Sequence, residues 1–202
     1  MTREDQFLDL LRLSGFPEPC LSGSETEARR WSREYRSRVV REEIVSLESI
    51  ADLGNLELAA IRLPQLVGSP LSINALREDL QVSHKTLSRW LQVLERLYVI
   101  FRVPPFGAPG IRAVKKEQKH YHYDWSLVPE LPQRFENLVA GHLLKWVHYE
   151  QDAKGRDLEL RYLKTRFPEA DATQISATGK KDFLTPDGIR VRPALPFLAE
   201  LV

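Results

Sequence analysis

Residues 71–103 read LSINALREDLQVSHKTLSRWLQVLERLYVIFRV, and this stretch decides the predicted fold. Apolar side chains recur every three or four positions in 73–80 and again in 84–98, which is the spacing of one helix face. Ser72 and Ser83 stand directly before these two segments, where a hydroxyl accepts a hydrogen bond from the first helical turn. The stretch therefore predicts a short helix, a tight turn and a longer helix.

Two β-strands are predicted directly after the longer helix. Residues 99–103 are β-branched and aromatic, and residues 119–123 alternate, so the two runs are expected to pair as a hairpin. The connection 104–118 contains glycine, proline and several basic residues. Helix, turn, helix, strand, long loop and strand is the order of a winged helix-turn-helix, with 104–118 as its wing.

The longer helix is predicted to present a cationic face. Leu87, Leu91 and Leu94 recur at steps of four and three residues and are expected to face the core, so the opposite stripe faces solvent. The residues predicted to contact nucleic acid are Lys85, Ser88, Arg89, Gln92 and Arg96 on the helix, and Arg112, Lys115 and Lys116 in the wing. Cations suit phosphates, while hydroxyl and amide groups suit phosphates or base edges. The alternative is a protein-interaction module with an ordinary solvated surface.

The distribution of charge along the chain supports the nucleic-acid hypothesis more than the net charge of the whole chain does. The whole chain carries a net charge of +1. Between Ser72 and Tyr123 there are nine basic and four acidic side chains, which gives this segment +5 and leaves −4 for the rest. Segregation of positive charge onto one segment is typical of phosphate contact.

The remaining chain predicts further helices and a small mixed region, so the fold class is α+β and mostly helical. Residues 1–70 are predicted to be a helical linker region, in which Pro64 should kink a helix of about 56–67 or end its regular part. Residues 71–130 hold the winged helix-turn-helix. Residues 131–202 begin with an amphipathic helix and continue with a strand at 172–176 and a hairpin near 185–188.

No enzyme chemistry is predicted. Gly179-Lys180 lacks the earlier glycine and the following hydroxyl of a phosphate-binding loop, so no ATP site is expected. His120 and His122 are interpreted as ordinary hydrogen-bonding histidines rather than as metal ligands. Glu117-x-Lys119 has no strand aspartate with which to share a magnesium ion. Neither a catalytic residue nor a cofactor or metal is therefore predicted.

Several motifs resemble, in the same order, one large bacterial and archaeal family. They are 15–19 (GFPEP), the arginine-rich helix with Trp31 and Tyr35, 82–91 (VSHKTLSRWL), the strand 98–105 and 134–139 (RFENLV). Members of that family carry an AAA-type ATPase module followed by a C-terminal domain of unknown function, which combines a winged helix with a restriction-endonuclease-like fold. The resemblance implies that this chain corresponds to the C-terminal part.

The resemblance also implies a shortened protein. The ATPase module of the family would precede residue 1. In the family, the strand that resembles 158–162 is followed by a glutamate-valine-aspartate strand and a glutamate-x-lysine strand, and both are missing here near position 163. Glu136 matches a helix glutamate of the endonuclease-like fold, but its aspartate and lysine partners are absent. Residues 131–202 are therefore expected to be a truncated endonuclease-like α/β remnant.

The expected setting is the cytoplasm. The chain has one cysteine, Cys20, and neither a long apolar run nor an apolar signal region after a basic start. Expected partners are duplex DNA, or else a protein partner or a second copy of the chain, with no membrane. A protein-interaction module and a non-functional truncated gene product remain the alternatives to DNA binding.

Overall fold

The computed structural model describes residues 2–43, 52–105, 117–150, 171–177, 179–186 and 188–200. These residues fold as a mostly helical α+β protein with one two-stranded and one three-stranded sheet, which confirms the predicted class at that level. The chain divides into two compact units, one of residues 8–141 and the other of residues 1–7 with 142–202.

Three helices and a π-helical turn open the chain. They are α1 (Arg3–Leu13), α2 (Pro17–Leu21), α3 (Glu25–Arg38) and the turn Val39–Glu43. The hydroxyl of Ser24 accepts a hydrogen bond from the Glu27 amide at 3.4 Å and so caps α3. Acidic residues in the first turn of α3 and arginines in its last turn favour the helix dipole.

The next helices are α4 (Leu53–Arg62), α5 (Ile73–Asp79) and α6 (His84–Arg96). Pro64 lies in the 3₁₀ turn Leu63–Leu66 that follows α4, which confirms that the regular helix ends there. Ser72 caps α5 and Ser83 caps α6, each accepting from the amide three residues later, as predicted.

Both α5 and α6 end in a left-handed residue that is not glycine. Gln81 and Tyr98 each have a φ of 54°. The amide of the following residue then returns to a carbonyl of the last helical turn, Val82 to Arg77 at 3.0 Å and Val99 to Leu94 at 2.9 Å. This C-terminal turn satisfies carbonyls that the helix itself leaves open, and it sends the chain sharply into the next element.

Strand β1 (Ile100–Val103) pairs antiparallel with β2 (Lys119–His122), in a register that places Ile100 opposite His122. The predicted hairpin is therefore confirmed. A short third segment joins it, because Pro70 forms an isolated bridge with Lys119 and the Leu71 amide donates to the Gln118 carbonyl at 2.9 Å.

One hydrophobic core lies beneath α4, α5, α6 and β1. Its fully buried members include Leu56, Leu63, Leu87, Leu94 and Ile100. The same cluster contains Val39 and Val40 from the end of the N-terminal helices. The packing of residues 71–103 therefore depends on side chains that precede position 71.

Helix α7 (Leu131–Glu150) covers the outer edge of β2. The buried side-chain amide of Asn137 accepts from the His122 backbone N–H at 2.8 Å and donates to the His122 carbonyl at 2.6 Å. Glu136 accepts from both the Lys119 ammonium, at 3.1 Å, and the Tyr121 hydroxyl, at 2.8 Å. The Asn137 contacts give the backbone of His122 the partners that a neighbouring strand would supply, whereas Glu136 binds side chains of the strand.

The second unit contains the three-stranded sheet in the order β3 (Ala172–Ser176), β5 (Ile189–Pro193) and β4 (Phe183–Leu184), followed by α8 (Ala194–Ala199). The strand predicted at 172–176 and the hairpin predicted near 185–188 are both confirmed. The segment 158–162 and the predicted junction near 163 lie outside the described residues.

Candidate nucleic-acid interface

Helix α6 has one buried and one exposed face, and the division follows from its sequence. Leu87, Leu91 and Leu94 are completely buried, and Trp90 is nearly so. Three- and four-residue steps bring these apolar side chains onto one side of the helix, so the polar positions between them must point to solvent.

The five predicted contact residues of α6 lie together on its exposed side. They line a shallow surface concavity of about 530 Å³. Among the described residues, only those of α6 line it. The lining residues are His84, Lys85, Ser88, Arg89, Gln92, Val93 and Arg96. The structure therefore brings together Lys85, Ser88, Arg89, Gln92 and Arg96 as one surface, which we call the α6 face.

His84 lines the same concavity beside the α6 face, and the sequence interpretation did not include it among the contact residues. The His84 ring nitrogen Nδ1 lies 3.3 Å from the Ser88 hydroxyl oxygen, so the two side chains form a hydrogen bond across one helical turn. The signal was present in the sequence, because positions 84, 88 and 92 are spaced at four residues and share a helix side.

The only acidic residue in the α6 sequence, Glu95, forms an ion pair with a strand residue that is not part of this face. Glu95 makes two hydrogen bonds with the Arg102 guanidinium on β1, at 2.7 and 2.6 Å. This is a bidentate carboxylate–guanidinium pair, the strongest ion-pair geometry available to these side chains. Because Glu95 is neutralised by Arg102, it does not offset the cations of the α6 face.

The predicted wing residues are not part of this surface as described. Arg112, Lys115 and Lys116 lie outside the described residues, which stop at 105 and resume at 117. Their contact with nucleic acid stays a prediction.

The histidines of β2, His120 and His122, are buried. His120 and His122 have ring centroids 5.7 Å apart, and the His120 Nε2–H donates to the Leu63 carbonyl at 2.9 Å. Neither ring nitrogen of His122 has a hydrogen-bond partner among the described residues. The expectation of ordinary hydrogen bonding is thus met by the ring of His120 and not by that of His122.

Burial dominates the electrostatics of this histidine pair. It lowers the pKa of His122 to about 3, an effect increased by His120 and Arg36 and partly offset by the nearby Leu63 carbonyl. Burial likewise lowers the pKa of His120. Both rings are held neutral because their charged form would lose its hydration inside the core.

Two other residues weighed in the sequence analysis as possible site residues, Glu136 and Gly179, form hydrogen bonds within the protein. Glu136 is engaged by Lys119 and Tyr121, and the Gly179 amide donates to the Ser176 hydroxyl at 2.9 Å. Within the described ranges, no three histidine, cysteine, aspartate or glutamate side chains come together in a way that could hold a metal ion. Nor does any helix of these ranges have the length and apolar character required to cross a membrane.

The fold and the site define a mostly helical α+β protein with a cationic face on a helix that precedes a β-hairpin. The chain belongs to the family described as domain of unknown function (DUF8612), which it matches over residues 4–138. No curated protein and no solved structure matches it. The matched span contains the whole α6 face.

Proposed function

We propose that this protein is a non-catalytic winged-helix module that binds duplex DNA through the α6 face. The observation that carries the proposal is the gathering of Lys85, Arg89 and Arg96 with Ser88 and Gln92 on one exposed side of α6. Cations attract phosphates without regard to sequence, and a helix fits the major groove of B-form DNA.

The surrounding elements support a winged-helix arrangement. A short helix precedes α6, a β-hairpin follows it, and a bridge from Pro70 to Lys119 adds a third strand segment. In this arrangement the connection between β1 and β2 is the wing, and Arg112, Lys115 and Lys116 would contact the DNA backbone or minor groove.

The same proposal treats residues 131–202 as a shortened endonuclease-like α/β remnant of the AAA-type ATPase family that the sequence resembles. The parallel pairing of β3 with β5 supports an α/β origin. Glu136 binds Lys119 and Tyr121 and so has a structural use instead of a catalytic one. The proposed role of the chain is therefore binding, in the cytoplasm, without turnover.

Salt-dependent binding to a fluorescent duplex tests the proposal. We expect micromolar or weaker affinity, and an affinity that falls steeply with added salt because bound cations release counterions from DNA. Replacing Lys85, Arg89 and Arg96 together by alanine should weaken binding and reduce the logarithmic salt slope by about 3.

A matched control removes the same charge from another helix. Arg29, Arg30 and Arg33 are exposed on α3, and alanine at these positions keeps the helix while lowering the net charge equally. If this control lowers the salt slope as much as the α6 variant does, binding is a matter of total charge and the α6 assignment is wrong.

A second candidate function is protein interaction, favoured by a groove of about 270 Å³ near Trp31. The Trp31 ring stacks on Tyr35 with 5.0 Å between centroids, and its indole N–H donates to Glu18 at 2.8 Å. Static light scattering tests the form in which the partner is a second copy. A dimer that Trp31→Ala dissociates, in a protein that binds no duplex, would favour this candidate over DNA binding.

A further inference from the structure

The spacing of charge along α6 matches the width of a DNA groove. Lys85 and Arg96 are eleven residues apart, which is about 16 Å along a helix and close to three complete turns. They therefore lie at opposite ends of the α6 face and on nearly the same line. The major groove of B-form DNA is about 12 Å wide, so two cations at this separation can reach the phosphates on both of its walls.

Gln92 lies between them on that line. It is exposed, and it follows Lys85 by two turns and precedes Arg96 by one. The hydroxyl of Ser88, one turn before Gln92, forms a hydrogen bond with the His84 ring at 3.3 Å. When the two ends of α6 are held at the phosphate walls, the Gln92 carboxamide between them faces the floor of the groove, where the base edges lie.

We infer that Gln92 reads an adenine in the major groove of the bound duplex, while Lys85 and Arg96 hold the flanking phosphates. This inference rests on the proposed function. Adenine presents the N6 amino group as a donor and N7 as an acceptor on its major-groove edge. The carboxamide oxygen accepts from N6–H and the carboxamide nitrogen donates to N7, so one side chain makes two hydrogen bonds to one base.

The ligand that fits is B-form DNA instead of double-stranded RNA. The major groove of A-form RNA is deep and narrow, and side chains cannot read base edges there. Both polymers offer phosphates to Lys85 and Arg96, but only B-form DNA lets Gln92 reach its target base.

Selection from a pool of random DNA duplexes, at one fixed salt concentration, tests the inference. The wild-type protein should enrich sequences with adenine at one position, with a discrimination of about five- to hundredfold against the other bases. Gln92→Ala should abolish the preference at that position, because alanine offers neither of the two hydrogen bonds that the carboxamide makes with the base edge.

Two further variants sharpen the outcome. Gln92→Glu should move the preference from adenine to cytosine, because a carboxylate only accepts and cytosine offers its N4 amino group. Gln65→Ala, which removes an exposed glutamine from the 3₁₀ turn after α4, should select the same sequences as the wild type. Circular dichroism checks that each variant keeps its helices.

The possible results separate this inference from the function on which it rests. Duplex binding without an enriched position, or the same adenine enriched by wild type, Gln92→Ala and Gln92→Glu, overturns the reading role of Gln92 and leaves DNA binding in place. Equal affinity for the selected DNA and for RNA of the same sequence overturns the major-groove placement. If the wild type binds no duplex at all, both the inference and the proposed function are wrong.

Discussion

Gly15 lies against the ring of Trp125, and this contact explains the start of the GFPEP motif. A Cβ placed on Gly15 would stand 2.3 Å from the Trp125 ring carbon Cη2 and 2.7 Å from Cζ3. The ring is buried, and its indole N–H donates to the Leu10 carbonyl at 3.0 Å, so it has little room to move. Nearby, the hydroxyl of Ser14 donates to the buried Asp124 carboxylate at 2.8 Å. These contacts join α1 to the segment that leaves β2.

Replacing Gly15 with alanine should therefore destabilise the protein. Overpacking of a filled site typically costs about 1 to 3 kcal/mol, and we expect a loss of that size in the free energy of unfolding measured with urea. Gly54 provides the control, because it lies in α4 with no atom within 4 Å of a built Cβ. Gly54→Ala should leave stability unchanged or raise it by up to about 1 kcal/mol. Equal effects of the two substitutions would contradict the proposal that a Cβ at position 15 has no room beside the Trp125 ring.

At the scale of elements, α7 supplies hydrogen-bond partners to the backbone of His122, at the end of β2 beyond the bridge that Pro70 forms with Lys119. Asn137 is fully buried and satisfies both backbone groups of His122, while the half-exposed Glu136 binds side chains only. A buried amide and carbonyl without partners are costly, whereas exposed ones are hydrated. The contact of Asn137 should therefore contribute more to stability than that of Glu136.

Asn137→Ala should lower the free energy of unfolding by about 2 to 4 kcal/mol, because it leaves two buried backbone groups of His122 without their partners. Gln133→Ala on the same helix is the control, since the buried side-chain oxygen of Gln133 has no hydrogen-bond partner among the described residues. Its loss should change stability by less than about 1 kcal/mol. Urea unfolding followed by circular dichroism compares the two variants. Equal stability of Asn137→Ala and wild type would show that the edge of β2 does not need this clamp.

The stability of the whole molecule should depend on pH through the buried histidine pair. Burial lowers the pKa of His122 from 6.5 to about 3, so the folded protein keeps this ring neutral over a range in which the unfolded chain takes up a proton. A folded-state pKa below the unfolded value favours the unfolded state as pH falls. The contribution of His122 to stability is therefore complete above about pH 6.5 and decreases toward pH 3.

We expect the free energy of unfolding to fall by a few kcal/mol between about pH 6.5 and pH 4. His122→Leu removes the titrating ring and keeps a buried side chain of similar size, while Asn137 still holds the backbone at that position. This variant should show a clearly smaller loss of stability over the same pH range. Thermal unfolding at constant ionic strength measures both proteins. An unchanged pH dependence in His122→Leu would assign the acid sensitivity to other groups.

The sequence by itself determined those features that depend on local spacing and local caps. The apolar period of 84–98 separates the buried leucines from Lys85, Ser88, Arg89, Gln92 and Arg96, and Ser72 and Ser83 mark the helix starts. A helix rotates each residue by a constant angle, so its exposed face follows from sequence spacing alone. The hairpin and the end of α4 at Pro64 were predictable for the same local reason.

Only the tertiary structure decided which distant residues meet. No sequence period relates the partners in these contacts. They are the packing of Gly15 against Trp125, the ion pair of Glu95 with Arg102, and the hydrogen bonds of Asn137 to the His122 backbone. The burial of His122 was likewise decided by the tertiary structure. Strand alternation places two histidines on one side of β2, but packing decides whether that side faces solvent or the core. Such contacts depend on how elements dock, and docking is determined by the shape and chemistry of the whole core.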